Sequence, residues 1–276
     1  MTQFDDSVWL AEWETLHDRR YSGLRTDSSE REYWSMRARD FSESRRTDGF
    51  GYGKKVCEKL MGKALSPDSV VLDVGAGPGT FVVPFAPRVR RIDGLEPAPG
   101  MVSEMKKNAE KEGLKDYGII EKSWEEVDFC EEYDLVISSL VLFVFRDIWR
   151  QILRLERASR GYCAIVTGTG TSRCPDDLWS NVMGGTPFPW SSDTEYPLIF
   201  NLLRSRKRIP NVGIIEYTSR RLLENKVRHR SLCFQRYAEL SEEMEDMIRN
   251  YYTKRSRDGY VEETSKAAII WWKKPQ

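Results

Sequence analysis

The sequence predicts an α/β fold, a doubly wound and mainly parallel sheet with helices on both faces. Short apolar, β-branched runs alternate with helix-like segments between residues 70 and 167, which is the pattern of strands joined by crossover helices. The first of these runs leads through a glycine-rich turn into a helix, as in nucleotide-binding sheets. With 276 residues and 40% apolar content, the chain is long enough for one enlarged domain or a domain with a cap.

Three helices are predicted ahead of the first strand, near residues 5–20, 30–43 and 53–65. We expect the apolar face of the first helix to pack on the sheet. In the second helix, Trp34 and Phe41 share one face, and this stripe either packs on the sheet or covers a ligand. The sequence alone leaves both alternatives open.

The glycine turn lies in residues 70–80, VVLDVGAGPGT, where three glycines alternate. They remove the side chains that would keep a ligand off the backbone, and the following helix offers its free N–H groups. A dinucleotide site needs a third small residue where this chain has Thr80. Asp73, ahead of the glycines, suits the cationic amino-acid part of S-adenosylmethionine better than a pyrophosphate.

The next strand is predicted over residues 89–96 and ends in Glu96, about 20 residues after Asp73. An acid at this distance lies at the tip of the neighbouring strand and hydrogen-bonds ribose hydroxyls. Residues 97–101 then open a helix that Gly113 stops. Further strands are predicted over residues 118–121, 133–139, 162–167, 212–217 and 267–272, and Asp147 and Ser241 are predicted to cap helices.

The chain resembles the class I S-adenosylmethionine-dependent methyltransferases, of the Rossmann-like, small-molecule type. The features that carry the resemblance are the Asp-x-Gly-x-Gly-x-Gly turn, Glu96 and the segments 118–126 and 133–139. The resemblance implies a seven-stranded sheet closed by an antiparallel hairpin, with an N-terminal helical segment and an inserted cap. It divides the chain into residues 1–66, which cover the cofactor site, 67–170, the cofactor-binding half, and 171–276, the substrate cap and hairpin.

The resemblance also implies the activity and the cofactor site. A methyl group passes from S-adenosyl-L-methionine to a small molecule or a single side chain by in-line displacement, leaving S-adenosyl-L-homocysteine. Glu96 meets the ribose, Met101 the adenosine and Arg37 the cofactor carboxylate, while Ser123 replaces the commoner Asp beside adenine. The predicted cofactor-binding residues are Trp34, Arg37, Phe41, Asp73, Gly75, Ala76, Gly77, Pro78, Glu96, Pro97, Met101, Ser123, Trp124 and Ser138. No catalytic residue is nominated, because a methyl sulfonium is already activated.

A long connection over residues 170–211 combines glycines and prolines with aromatic residues, and connections of this length are usually functional. Trp179, Phe188 and Trp190 are predicted to line the acceptor site as part of a lid. Substituting Trp190 with Ala should therefore lower turnover far more than affinity for S-adenosylhomocysteine. We expect the helix that follows Ser241 to pack over the carboxyl edge of the sheet or on a neighbouring subunit.

Two other classes of function stay open. One is a regulatory module that binds the cofactor without turnover, and the other is a nucleic-acid methyltransferase. Lys plus Arg equals Asp plus Glu, at 43 each, so no global basic field favours nucleic acid. After residue 139 the chain also lacks the Asn/Asp-Pro-Pro-Tyr signature of the resembled amino-group methyltransferases.

Composition bounds the location and the remaining sites. Five cysteines without a Cys-x-x-Cys pair and only two histidines predict no metal site and no disulfide framework. An acidic start and the absence of an apolar run of about 20 residues predict a soluble, cytoplasmic protein without a membrane partner. The charged runs 204–208 and 228–230 are expected on solvated faces, with His229 in a structural role. The oligomeric state stays open.

Overall fold

The computed structural model describes residues 7–25, 29–169, 174–186, 188–189 and 195–275. Three helices precede the sheet, as predicted: α1 (Ser7–Tyr21), α2 (Glu30–Thr47) and α3 (Gly51–Leu60). The start of α2 is a capping box in which the Ser29 side chain accepts from the Glu32 backbone and the Glu32 carboxylate accepts from the Ser29 N–H. Within the described ranges, no helix has the length and apolar character that a membrane crossing requires.

Seven strands form one sheet in the order β3-β2-β1-β4-β5-β7-β6. Strands β1 to β5 are parallel, and β7 runs antiparallel to both β5 and β6. This confirms the predicted mainly parallel, doubly wound sheet with a closing hairpin. The strands are β1 (Val70–Val74), β2 (Arg91–Leu95), β3 (Tyr117–Ile120), β4 (Tyr133–Ser139), β5 (Ser159–Gly168), β6 (Asn211–Leu222) and β7 (Tyr260–Lys273).

The helices after β1 include both of the predicted caps. The Asp147 side chain accepts from the Arg150 N–H at 3.0 Å, and the Ser241 side chain accepts from the Met244 N–H at 3.3 Å. These helices are α4 (Val82–Phe85), α5 (Pro99–Lys111), α6 (Ile148–Ala158), α7 (Asp176–Val182), α8 (Glu195–Ser205), α9 (Leu223–Gln235) and α10 (Glu242–Thr253).

Each face of the sheet is covered by its own apolar layer. Helices α3 and α4 pack on one face and α1, α6 and α8 on the other. Consecutive side chains of a strand point to opposite faces, so Trp271 enters the first layer and Trp272 the second. Cys163 is fully buried in β5, as expected of a core residue. The Trp272 indole N–H donates to Glu156 at 2.8 Å, which removes the cost of burying it unpaired.

The β6–β7 hairpin is longer than the sequence predicts. Pairing with β5 ends at Gly168 and Ala267, whereas β6 and β7 stay paired as far as Leu222 and Tyr260. Residues 216–222 and 260–266 therefore extend beyond the carboxyl end of β5. This extension is rich in charged residues that face one another across the hairpin. It is not an apolar run, so the apolar pattern of the sequence does not predict it.

Helices α7, α9 and α10 form a cap with its own apolar core. Trp179, Phe234, Ile248 and Tyr252 are buried there. Helix α10 packs on α7 and α9, whereas the sequence predicts packing over the carboxyl edge of the sheet or on a neighbouring subunit.

Candidate functional site

The glycine turn after β1 adopts left-handed backbone conformations at Gly75, Gly77 and Gly79, with φ of 76°, 56° and 85°. A Cβ on Gly75 would lie 2.3 Å from a methyl carbon of Val141, so packing requires glycine there. A Cβ on Gly77 would meet no atom within 4 Å. Gly77 is therefore the position of this turn where the backbone borders open space and a ligand can approach it.

Glu96 joins the glycine turn to the neighbouring strand. Its carboxylate accepts the N–H groups of Gly77 and Ala98, both at 2.9 Å. Burial raises the pKa of Glu96, and the two N–H groups oppose that rise. The sequence predicts this residue at the strand tip, and the structure places it against Gly77.

Asp73 lies at the end of β1 and is 2% exposed. Burial and the nearby charge of Glu96 raise the pKa of Asp73 well above its usual value. In the described part of the chain, neither carboxylate has a cationic partner within ion-pair distance. Two adjacent buried acids without a cation favour a ligand that brings hydroxyl donors or a positive charge.

Helix α2 lies across the start of α5, beside this turn. A Cβ on Gly100 would approach the Ser35 carbonyl oxygen to 2.6 Å, so the two backbones are in close contact. Trp34 and Phe41 pack on Ala98 and Met101, immediately after Glu96 and Pro97. The aromatic stripe predicted from the sequence thus borders the candidate site.

A buried asparagine connects α2, α5 and the glycine turn. The Asn108 amide donates to the Pro78 carbonyl at 2.8 Å and to the Ser42 hydroxyl at 2.9 Å. Arg46 donates to the Asn108 side-chain oxygen at 3.0 Å and to Glu104 at 3.1 Å. Asn108 is not among the residues predicted from the sequence, although a polar residue on the apolar face of α5 was an available signal.

Asn108→Ala should destabilise the protein by about 1–3 kcal/mol, because buried donors and acceptors lose their partners. It should also weaken ligand binding at the turn, since Pro78 loses its tie to α5. Urea unfolding measures the first effect, and Glu110→Ala, an exposed change on the same helix, is the control. Equal stability of Asn108→Ala and the wild type would contradict this role.

The residues predicted after β3 and β4 occupy different environments. Ser123 begins a short 3₁₀ turn, in which its N–H donates to Glu126 at 2.6 Å. Trp124 is buried, with the Arg154 guanidinium over its ring. The Ser138 hydroxyl is buried and donates to the Val74 carbonyl at 3.3 Å. All three follow or end strands at the carboxyl edge, and direct contact with a cofactor stays a prediction.

A cavity of about 10 Å³ lies at the carboxyl ends of β4 and β5. It is lined by residues of both strands and by Trp13, and Glu195 of α8 also reaches it. The Thr167 hydroxyl donates to the Glu195 carboxylate. This space holds about one water molecule, so binding of an acceptor here requires α1 or α8, which line it, to move.

Of the three residues predicted to line the acceptor site, Trp179 lies in the core of the cap. Its ring centroid is 4.8 Å from that of Phe188, 4.8 Å from that of Phe234 and 5.5 Å from that of Tyr237. Phe188 packs at the margin of the same core. Trp190 lies outside the described residues. The acceptor-binding role of the three residues stays a prediction.

Arg37 faces the cap. Its guanidinium donates to the Tyr33 hydroxyl at 2.7 Å, hydrogen-bonds His229 of α9 and lies 4.7 Å from the Trp34 ring centroid. Arg230 is buried and His229 is partly buried, so the expectation of a solvated face was wrong for Arg230, whereas Arg228 is exposed and pairs with Asp40. Packing of α9 against α2 shields His229 from water, and packing of α9 against α10 shields Arg230.

In the other charged run, Arg208 forms an ion pair with Glu156 at 2.6 Å. Both side chains are largely buried, and the Arg208 guanidinium also lies over the Trp149 ring. The expectation of a solvated face was therefore wrong for this residue as well.

Burial and the surrounding cations lower the pKa of His229 well below its usual value, so the folded protein holds the neutral imidazole. The unfolded chain binds a proton near pH 6.5. The stability of the folded state with neutral His229 is therefore fully present above that pH, and it is lost as the pH falls and the unfolded chain takes up the proton. Between about pH 7.5 and 5.5, the wild type should lose more unfolding free energy than His229→Gln, by up to about 1.4 kcal/mol for each pH unit below 6.5. Urea unfolding at both pH values checks this, and parallel losses would contradict it.

Comparison with known proteins bears on the domain and the fold. Residues 71–158 match the family model of a methyltransferase domain. An uncharacterised protein of Haemophilus influenzae is 32% identical over 98 residues, 31% of this chain and 37% of that protein. The 23S rRNA (uracil(1939)-C(5))-methyltransferase RlmD of Stenotrophomonas maltophilia is 40% identical over 65 residues, 22% of this chain and 15% of that protein. The chain thus spans well under two thirds of the curated relatives it matches.

A solved structure matches over most of the chain. Magnesium protoporphyrin IX methyltransferase ChlM from Synechocystis PCC 6803, determined with bound S-adenosylhomocysteine, superposes with a TM-score of 0.53 at 13% identity. The superposition covers 84% of this chain and 86% of that one. Residues 71–158 thus match a methyltransferase domain, and the chain has the fold of the class I S-adenosylmethionine-dependent methyltransferases. This confirms the resemblance inferred from the glycine turn.

Proposed function

We propose that the protein transfers a methyl group from S-adenosylmethionine to a small molecule or a single side chain, leaving S-adenosylhomocysteine. The observation that carries this proposal is the open backbone at Gly77, hydrogen-bonded to the buried Glu96 carboxylate within a methyltransferase domain. The acids and the glycine turn fit this cofactor. Ribose hydroxyls donate to carboxylates, and a sulfonium or ammonium group offsets the adjacent negative charges. A pyrophosphate would meet those charges unfavourably.

The residues of this chain have to bind the cofactor and the acceptor, orient them relative to each other and exclude water from the site. Glu96 and the Gly77 backbone would hold the ribose side of the cofactor, and Trp34, Phe41 and Met101 would supply an apolar wall. The sulfonium supplies an activated methyl group, so in-line displacement needs alignment more than a dedicated base. Enclosure by α2 and the cap serves that alignment.

A small-molecule acceptor fits a carboxyl edge beside which the extended hairpin projects, with α9 of the cap packed on that hairpin. A nucleic acid needs an open, basic surface, and the equal numbers of acidic and basic residues give no such field over the chain as a whole. We retain the cytoplasmic location as a prediction.

Incubation of the purified chain with methyl-labelled S-adenosylmethionine and a metabolite extract tests the proposal. The expected result is S-adenosylhomocysteine and a labelled small molecule, both detected by mass spectrometry. Label in added RNA with salt-dependent binding would indicate the nucleic-acid alternative. Tight cofactor binding without turnover in either mixture would indicate a regulatory module.

A further inference from the structure

Five cationic side chains converge between α2, the extended end of β6 and α9, and we call them the basic cluster: Arg37, Arg45, Arg221, Lys226 and Arg230. Four of the five are buried, and Arg221 is partly buried. Buried charges are costly unless opposite charges or hydrogen bonds compensate them. The groups that face this cluster therefore decide whether it is self-sufficient.

In the described part of the chain, two carboxylates form ion pairs with the basic cluster. Glu263 of β7 pairs with Lys226, and Asp48 pairs with Arg45 at 3.2 Å. Asp40 and Glu43 of α2 are nearby, but the first pairs with Arg228 and the second accepts from Asn225. Among the described residues, the four cations Arg37, Arg45, Arg221 and Lys226 thus outnumber the two acids that pair with the cluster.

Two members of the cluster bond to neutral groups. Arg221 donates to the Ser44 hydroxyl at 3.0 Å, and Arg37 contacts Tyr33 and His229. Neither forms an ion pair within the described ranges. The Nε atoms of Arg37 and Arg45 are buried without a hydrogen-bond partner there. The cluster therefore has unused donors as well as excess charge.

Proton loss does not remove the excess positive charge of the basic cluster. Burial, with the neighbouring guanidinium groups, lowers the pKa of Arg221 to about 10, so this residue stays charged at neutral pH. Burial and Arg230 lower the pKa of Lys226 to about 7. Among the described residues, loss of that one proton still leaves Arg37, Arg45 and Arg221 facing two acids, Asp48 and Glu263. A planar oxyanion accepts from several guanidinium donors at once and would compensate them.

One aromatic layer separates the basic cluster from the candidate methyl-transfer site. The Phe41 ring centroid lies 5.4 Å from the guanidinium carbon of Arg45 and 5.9 Å from that of Arg221. Phe41 also packs against the group that contains Ala98, whose N–H donates to Glu96. The cluster is therefore close enough to hold one end of a molecule whose other end reaches the methyl group.

We propose that the basic cluster binds an oxyanion, a carboxylate or a phosphate, of the methyl acceptor. This inference rests on the proposed function and defines its substrate class as an acidic small molecule. The cofactor itself carries a carboxylate and is the other source of the same chemistry. The experiments have to separate these two sources.

The first experiment measures thermal unfolding of the full chain with inorganic phosphate or succinate, against sodium chloride at equal ionic strength. Both anions should raise the unfolding midpoint of the wild type more than chloride does, since ligands that bind the native state stabilise it. Arg221→Gln and Arg45→Gln should each weaken the binding derived from these shifts by about tenfold or more. Arg249→Gln removes an exposed arginine paired with Glu224 and should retain the wild-type response.

The oxyanion site is refuted if phosphate and succinate act no more strongly than chloride, or if Arg221→Gln and Arg45→Gln respond like the wild type. Because these measurements need neither cofactor nor turnover, they separate failure of this site from failure of the proposed function. If one of these two variants does not fold, the response of the other variant to phosphate and succinate decides the test.

The second experiment compares S-adenosylhomocysteine with 5′-methylthioadenosine, which lacks the amino-acid carboxylate. Arg221→Gln should bind each as the wild type does. Selective loss of S-adenosylhomocysteine affinity would assign the cluster to the cofactor carboxylate and overturn the acceptor proposal. The labelled product from the metabolite extract should be retained on an anion-exchange column, and a neutral or cationic product would also overturn it.

Discussion

Gly77→Val should abolish binding of S-adenosylhomocysteine while leaving the chain folded. The Cβ position of Gly77 faces open space, so a branched side chain would fill the volume where we place the ligand. The positive φ of 56° adds backbone strain of about 1–2 kcal/mol, too little by itself to unfold a typical domain. Calorimetric titration, with circular dichroism of the same sample, measures both properties.

Gly113→Val is the matched control. Gly113 ends α5 with φ of 64°, and a Cβ there also meets no atom within 4 Å. Both variants should lose similar stability, but the Gly113 variant should bind the ligand as the wild type does. Tight binding by folded Gly77→Val would show that the ligand lies elsewhere.

Glu96→Ala should weaken binding of S-adenosylhomocysteine by about 1.5–3 kcal/mol, the range for hydrogen bonds to a charged group. It should also destabilise the protein, because the N–H groups of Gly77 and Ala98 lose their acceptor. Glu96 thus combines a structural and a binding role, and its substitution should affect both measurements.

Titration at a temperature well below the unfolding midpoint of Glu96→Ala separates its loss of affinity from its loss of stability. Glu125→Ala, a change of an exposed acid on the turn after β3, is the control and should leave affinity and stability unchanged. Unchanged affinity of folded Glu96→Ala would remove Glu96 from the cofactor site and leave it a purely structural role.

The sequence predicted the strand segments and the glycine turn because these signals are local. A buried parallel strand is a short apolar run, and its period or length is visible in a few residues. The turn needs glycine at particular positions, so Gly75 and Gly77 identify it directly. The N-terminal caps at Asp147 and Ser241 depend on contacts three residues apart, and both were predicted correctly.

What only the tertiary structure decided involves residues that are distant along the chain. Arg37 and His229 are 192 positions apart, and Ser42 and Asn108 are 66 apart. In the sequence, Arg230 stands in a charged run that is typical of a solvated face, yet packing of α9 against α10 buries it. A charged side chain has the same local pattern whether it faces water or a neighbouring helix. Its burial depends on which elements the fold brings together, and so the basic cluster became visible only in three dimensions.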